Sequence, residues 1–220
     1  MPLVHSYSAV KDFENCPRKY HETRILKSFK QSETQAMLYG TAVHKAFEEF
    51  VLNKTPLPAQ FSQFQRFVEP LAALKGDIRC EVKMGIRADF TPCGFFDKDV
   101  WFRGIPDYVA LDFEKGVARL ADYKTGKSSR YADTAQLELM SAMIMAHHPQ
   151  INKVKGALLF VVANDVVKAE HTRDNLAQIF SRWVGKVAPI EAAIESGVWN
   201  PRNGPLCGFC PVRTCEYHKG

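Results

Sequence analysis

The residues best placed to do chemistry lie on two short segments, W-F-R-G-I-P-D-Y-V-A-L (Trp101–Leu111) and V-A-R-L-A-D-Y-K-T-G (Val117–Gly126). Their composition predicts strands over 100–111 and 117–124, and the F-E-K-G turn between them makes a hairpin. On the second strand Asp122 and Lys124 are two residues apart, so they leave the same face. Asp107 precedes Asp122 by 15 residues, and the hairpin folds it back alongside. Two acids and a lysine then converge beside a sheet otherwise built from apolar residues. A buried carboxylate is costly when isolated, and two of them repel. A divalent cation removes the conflict, and hard oxygen ligands suit Mg2+ or Mn2+. Such an ion lowers the pKa of a bound water and stabilises phosphate charge. Lys124 would orient or deprotonate that water, or stabilise the phosphate. Spacing alone leaves a plain structural Asp–Lys pair equally open.

Two further residues bear on this site. His44 sits in G-T-A-V-H-K-A-F, on a helix predicted over 36–52. Gly40 interrupts that helix, which suggests a close approach by another backbone. Gln136, in T-A-Q-L-E-L-M, opens the helix that follows D-Y-K-T-G. It could contact nucleic acid or position Lys124.

Cysteine supplies a second chemistry. There are six: Cys16, Cys80, Cys93, Cys207, Cys210 and Cys215. Three fall in the C-terminal C-G-F-C-P-V-R-T-C, a C-x2-C-x4-C pattern that gathers thiolates around one metal or cluster. Soft thiolates select zinc or iron–sulfur. A fourth ligand is normally required. Candidates are Cys16 in E-N-C-P-R-K-Y, Cys80, Cys93 in T-P-C-G, and His218 toward zinc. Cys80 lies in an apolar, strand-like stretch and reads as a small core residue.

The elements that must position these groups follow in order. A helix is predicted over 6–27, then 36–52, a loop at 55–58, and a helix over 61–74. Strands follow over 78–88, 100–111 and 117–124. A helix over 133–147, a buried strand over 154–163 paired with 166–171, and a long helix over 173–196 complete the pattern. This is an α/β domain with a central mixed sheet whose faces are covered by helices. With 46% hydrophobic and 24% charged residues, disorder, collagen and coiled coil are excluded. The net charge of +5 permits an anionic partner without demonstrating one. The longest apolar run, Ala157 to Ala163, is too short for a membrane span. No apolar signal segment opens the chain, so a cytoplasmic protein is expected. A reducing compartment argues against disulfides. No G-x-x-x-x-G-K-[ST] motor motif is present.

The series G-x-x-x-H (Gly40, His44), G-I-P-D (Gly104 to Asp107), D-Y-K-T-G (Asp122 to Gly126) and Q-L (Gln136, Leu137) resembles the RecB-type branch of the PD-(D/E)XK nucleases. The N-terminal S-Y-S-A-V-K-D-F-E-N-C-P-R-K-Y is similar to the opening motif of its iron–sulfur subgroup, which includes the AddB nuclease domain and the CRISPR-adaptation exonucleases. The resemblance runs from Ser6 to Cys215.

It implies a restriction-endonuclease-like core, with a small lobe joining the N-terminal helix to the Cys-rich tail through a metal cluster. The chain would be one nuclease domain, 1–220, with 1–30 and 200–220 forming the cluster lobe. Asp107, Asp122 and His44 would bind Mg2+ or Mn2+, with a backbone carbonyl from the Leu120-to-Asp122 strand. Glu81 would match an acid that family members often carry on the first core strand. Lys124 would be the catalytic lysine and Gln136 its support. Cys16, Cys207, Cys210 and Cys215 would hold a [4Fe-4S] cluster, with zinc as the alternative. Many relatives carry Tyr where this chain has Met140, which puts their substrate contact in doubt. Arg18, Lys19 and Tyr20 could form part of a single-strand channel.

The function so implied is a metal-dependent DNA exonuclease preferring single strands or duplex ends, in recombination, repair or phage DNA metabolism. A helicase or recombination protein would be its partner, and no membrane is involved. The rivals are a silent nucleic-acid-binding module and a cluster-based redox sensor.

Overall fold

The structure, a computed structural model, describes residues 3–29 and 33–219. These group into two units. One is Thr34–Phe180 together with the chain start up to Val4; the other joins His5–Glu33 to Ser181–Gly220. Of the expected cluster lobe, residues 1, 2, 30 and 220 lie outside the described residues.

The smaller unit opens with α1 (Tyr7–Asn15), capped by the Ser6 hydroxyl, which accepts from the Ala9 amide. The helix expected over 6–27 is broken at Cys16, which is extended (φ −164°, ψ 110°). The cause is local: the residue before a proline is pushed out of the α region. Pro17 then starts α2 (Pro17–Tyr20), and the Cys16 sulfur accepts from the Lys19 amide at 3.5 Å. A π-helical turn, His21–Ile25, follows. In this unit Phe13 meets Tyr20 and Trp199 edge-on at 5.6 and 6.3 Å, and Lys186 pairs with Glu14 at 2.5 Å.

The larger unit begins with α3 (Gln35–Asn53), a 3-10 turn and α4 (Gln65–Ala72). Its strands are β1 (Asp77–Cys80), β2 (Met84–Ile86), β3 (Pro92–Cys93), β4 (Phe102–Gly104), β5 (Tyr108–Asp112) and β6 (Val117–Lys124). After α5 (Ala135–His147) come β7 (Lys153–Phe160) and β8 (Asp165–Thr172). Finally α6 (Leu176–Ser196) carries the chain into the smaller unit.

Two sheets result. The main one has order β1-β5-β6-β7-β8, antiparallel except for the parallel β6–β7 pair. This is the expected mixed sheet flanked by helices. The other is β3-β2-β4. Two strands read as continuous, 78–88 and 100–111, each divide between the sheets. Glu81 adopts φ 51° and ends β1. Pro106 has no N–H to continue a ladder and stands between β4 and β5.

On one face of the main sheet Val43, Phe47 and Val51 of α3, with Phe61, Phe64 and Val68, bury Tyr108, Ala110, Ala121, Tyr123 and Leu159. Alternation turns Leu120, Asp122 and Lys124 to the opposite face, where α5 lies. That helix is apolar nearly all round, with Leu137 to Met145 buried apart from Glu138. Such a helix must be covered on more than one side. It packs on β6 and β7 of one sheet and on β2 and β3 of the other.

Met140, on α5, is buried at 4% exposure and fills the space beside Gly104, where an added Cβ would fall 2.6 Å from its Cε. It packs against the G-I-P-D turn, so no face of it is left to touch a substrate. The atoms such a Cβ meets are the flexible ends of Met140 and Met143. Gly104→Ala is therefore expected to cost only about 1 kcal/mol, the low end of what an overpacked core usually loses, read as a slightly lower melting temperature in calorimetry.

Candidate active site

The hairpin brings the start of β5 beside the end of β6, Tyr108 opposite Ala121. Asp107, just ahead of β5, accepts the Tyr123 amide on Oδ2 at 2.7 Å. Its Oδ1 lies 3.3 Å from His44 Nδ1, while His44 Nε2 lies 3.0 Å from the Tyr123 carbonyl. α3 can deliver His44 this closely because Gly40 has no side chain; a Cβ there would meet the Thr125 hydroxyl at 3.3 Å. The approach predicted at Gly40 is thus to a side chain at the end of β6.

Glu81 completes the group. Its left-handed backbone turns the chain out of β1, and its amide donates to the Asp107 carbonyl at 3.2 Å. One ligand atom from each of His44, Glu81 and Asp107 lies within 4.8 Å of the others, close enough to hold one metal ion. These donors, one imidazole and two carboxylates, fit a divalent cation. The backbone oxygen facing His44 belongs to Tyr123, not to residues 120–122.

Asp122 occupies the other face of β6. Gln136 donates to its Oδ1, and Lys124 Nζ stands 2.6 Å from its Oδ2. Gln136 Oε1 in turn accepts from Lys124 at 2.8 Å. The glutamine therefore bridges the acid and the ammonium and fixes the lysine.

Glu48 was not among the residues expected here. It lines the same cleft as Gly40, Thr41, His44, Lys45 and Glu81, of about 410 Å3. The available signal was its position four residues after His44, on the same helix face.

Four cysteines meet in the smaller unit. Cys16, Cys207, Cys210 and Cys215 all line one cavity of about 400 Å3, together with Arg18, Lys19 and His218. Cys80 and Cys93 lie in the larger unit, and burial pushes the Cys80 thiol up to about 12. The expected nucleic-acid contacts fare unevenly. Tyr20 is 1% exposed, held by Phe13 and Trp199, and offers no ring face to a base. Lys19 pairs with Asp12 at 3.5 Å and Arg18 with Glu216 at 3.8 Å. No helix among the described residues is long and apolar enough to cross a membrane.

The chain matches the PD-(D/E)XK nuclease superfamily over residues 4–215, and it belongs to that superfamily. Its fold is similar to the crystal structure of a protein from Eubacterium rectale provisionally named an exonuclease. The two share 17% identity with a TM-score of 0.53, over 93% of this chain and 86% of that one. It is also similar to the crystal structure of SSO0001, at 14% identity and a TM-score of 0.53, over 99% of this chain and 87% of the other. No curated protein matches the chain.

Three groups of the site bind protons more tightly in the fold than out of it. Burial, then the Asp107 charge, pushes Asp122 up against the pull of Lys124. Burial and Asp107 also push Glu81 up. For His44 burial acts downward, but Asp107 and Asp122 outweigh it and the pKa rises. A folded pKa above the unfolded one gives stability that is present at low pH and lost as pH rises through the folded value. The Asp122 carboxyl, held up to about 6, should therefore cost the metal-free protein stability in EDTA as pH rises from about 5 to about 7.5, while buried His5, pushed down to about 4, acts in the opposite sense. Asp122→Asn should flatten that fall and melt above the wild type at the higher pH. Equal pH slopes for the two proteins would remove Asp122 as its source.

Proposed function

We propose that the chain is a Mg2+- or Mn2+-dependent deoxyribonuclease of the RecB type, an exonuclease that prefers single strands or DNA ends. The observation that carries this is the meeting of His44, Glu81 and Asp107 beside the Asp122–Gln136–Lys124 chain, at the adjoining ends of β5 and β6.

His44, Glu81, Asp107 and Asp122, with the Tyr123 carbonyl, would hold the metal. When bound, the ion lowers the pKa of a water and stabilises phosphate charge. The rest of the chemistry falls to the chain. Gln136 and Asp122 keep the Lys124 ammonium in one place, and its side chain is 33% exposed. From there it orients the attacking water or stabilises the charge that builds on the phosphate. In this reading the backbone amide of Tyr123 fixes Asp107 and leaves its other oxygen for His44 or the metal.

In the smaller unit the same reading assigns a [4Fe-4S] cluster to Cys16, Cys207, Cys210 and Cys215. Support for a metal group comes from the four thiols, which all line one cavity of about 400 Å3. The choice of a cluster over zinc follows from the C-P and C-x2-C-x4-C motifs. A cluster there would tie residue 16 to residues 207–215 and restrain the unfolded chain by a few kcal/mol, in the loop-entropy picture.

End-labelled single- and double-stranded DNA with Mn2+ tests the nuclease. Lys124→Ala should remain folded and bind Mn2+, yet cleave about a hundredfold to a thousandfold more slowly. His44→Ala should lose metal affinity more than thermal stability. A folded Lys124→Ala that cleaves at the wild-type rate would overturn the assignment.

Iron and sulfide analysis of anaerobically purified protein tests the second site. Both elements should be present, and Cys210→Ser should lose them together with several degrees of melting temperature. Stoichiometric zinc with no sulfide would replace the cluster by a metal staple.

A further inference from the structure

We propose that the sheet β3-β2-β4 is a stacking platform that holds single-stranded nucleic acid beside the metal-site carboxylates. This rests on the nuclease reading and extends it to the residues that grip the substrate. The sheet is inserted between Glu81 and Asp107, and both of its faces are accounted for.

One face is a rigid foundation. Met84, Ile86 and Phe102 are at most 3% exposed, and α5 packs on the sheet. His147 of α5 reaches the Gly85 carbonyl at 2.8 Å. Alternation turns Arg103 the other way, opposite Gly85.

The outward side is aromatic and cationic. Phe95 and Phe96 follow β3, their rings edge-to-face at 5.0 Å. The Arg103 guanidinium stands 5.1 and 5.7 Å from the two ring centroids, and Lys83 Nζ is 5.6 Å from that of Phe96. The guanidinium packs on the two rings, and its buried Nε has no hydrogen-bond partner. Phe96 is 73% exposed. The neighbouring acids point elsewhere: Asp97 and Asp99 pair with Arg87 at 3.5 and 2.5 Å, and Asp97 also accepts the Gly94 amide.

Phe96 carries Lys83 and Arg103 over its ring and still is 73% exposed, so cations for phosphate and open ring surface for a base lie together. Chain length places them near the chemistry. Lys83 is two residues from Glu81 and Arg103 four from Asp107, so their Cα atoms lie within about 7 and 14 Å of those acids. That is a reach of a few nucleotides. A protein partner would seek a broader apolar patch than two phenylalanines bounded by cations.

The test is fluorescence anisotropy of the full-length protein with a labelled oligothymidylate in EDTA, where binding proceeds without cleavage. Phe96→Ala should raise Kd about tenfold, the loss of one stacked base, while Phe96→Trp keeps it. Lys83→Ala should lower the slope of log Kd against log salt by about one contact. Thermal melts of all three should match the wild type, because the changed side chains are exposed. If Phe96→Ala binds DNA as the wild type does, the platform is overturned while the nuclease stands. Light scattering runs alongside: if Phe96→Ala instead dissolves a wild-type dimer at unchanged DNA affinity, the patch is a protein contact and the inference fails. A wild type that neither binds nor cleaves DNA overturns the nuclease reading and this one together.

Discussion

The energetic difficulty around which this fold is built is the burial of two carboxylates at one end of an apolar sheet. Asp107 and Asp122 are 8% and 5% exposed, on a hairpin whose other residues are mostly apolar. Left alone, neither charge could remain in such surroundings. Each is answered by a different element. The β6 backbone and α3 serve Asp107, through the Tyr123 amide and His44. α5 and the last residue of β6 serve Asp122, through Gln136 and Lys124. The two helices therefore lie on opposite faces of the sheet for a reason that is electrostatic as well as hydrophobic.

Much of the packing secures those helices. Phe47 meets Tyr123 edge-on at 4.8 Å, which fixes α3 one turn beyond His44. Gly156 leaves room for Leu137, since a Cβ there would fall 3.3 Å from that side chain. This seats α5 with Gln136 at its first turn. Met140 fills the notch above Gly104 and supports the turn that presents Asp107. A methionine in this place is a packing choice: its flexible thioether suits an irregular gap between two sheets.

The smaller unit shows the same economy of cause. A single proline after Cys16 breaks the first helix, and the break leaves the sulfur at the start of the next one. In the tail, Cys207 and Cys210 flank the end of a 3-10 turn, with the Cys210 amide donating to the Cys207 carbonyl at 3.3 Å. The sequence distance between Cys16 and that turn is nearly the whole chain, yet Arg202 contacts both Cys16 and the Glu14 carbonyl.

What was legible in the sequence was whatever depends on short range. Alternation and a turn were enough for the hairpin and for the shared face of Asp122 and Lys124, because strand geometry is set by neighbouring residues. The order of helices and strands followed for the same reason, as did the superfamily, whose motifs are local strings. Tertiary structure decided the rest. The division of 78–88 and 100–111 between two sheets turned on one left-handed residue, Glu81, and one proline whose effect depends on the partner strand. The even burial of α5 could not reveal its two neighbours, since a helix covered on both sides has no period to read. Tyr20 looked like a surface aromatic until the fold laid Trp199 against it. Tyr123 rather than its predecessors faces His44, and Glu48 enters the cleft, because only packing sets how α3 is rotated against the end of β6.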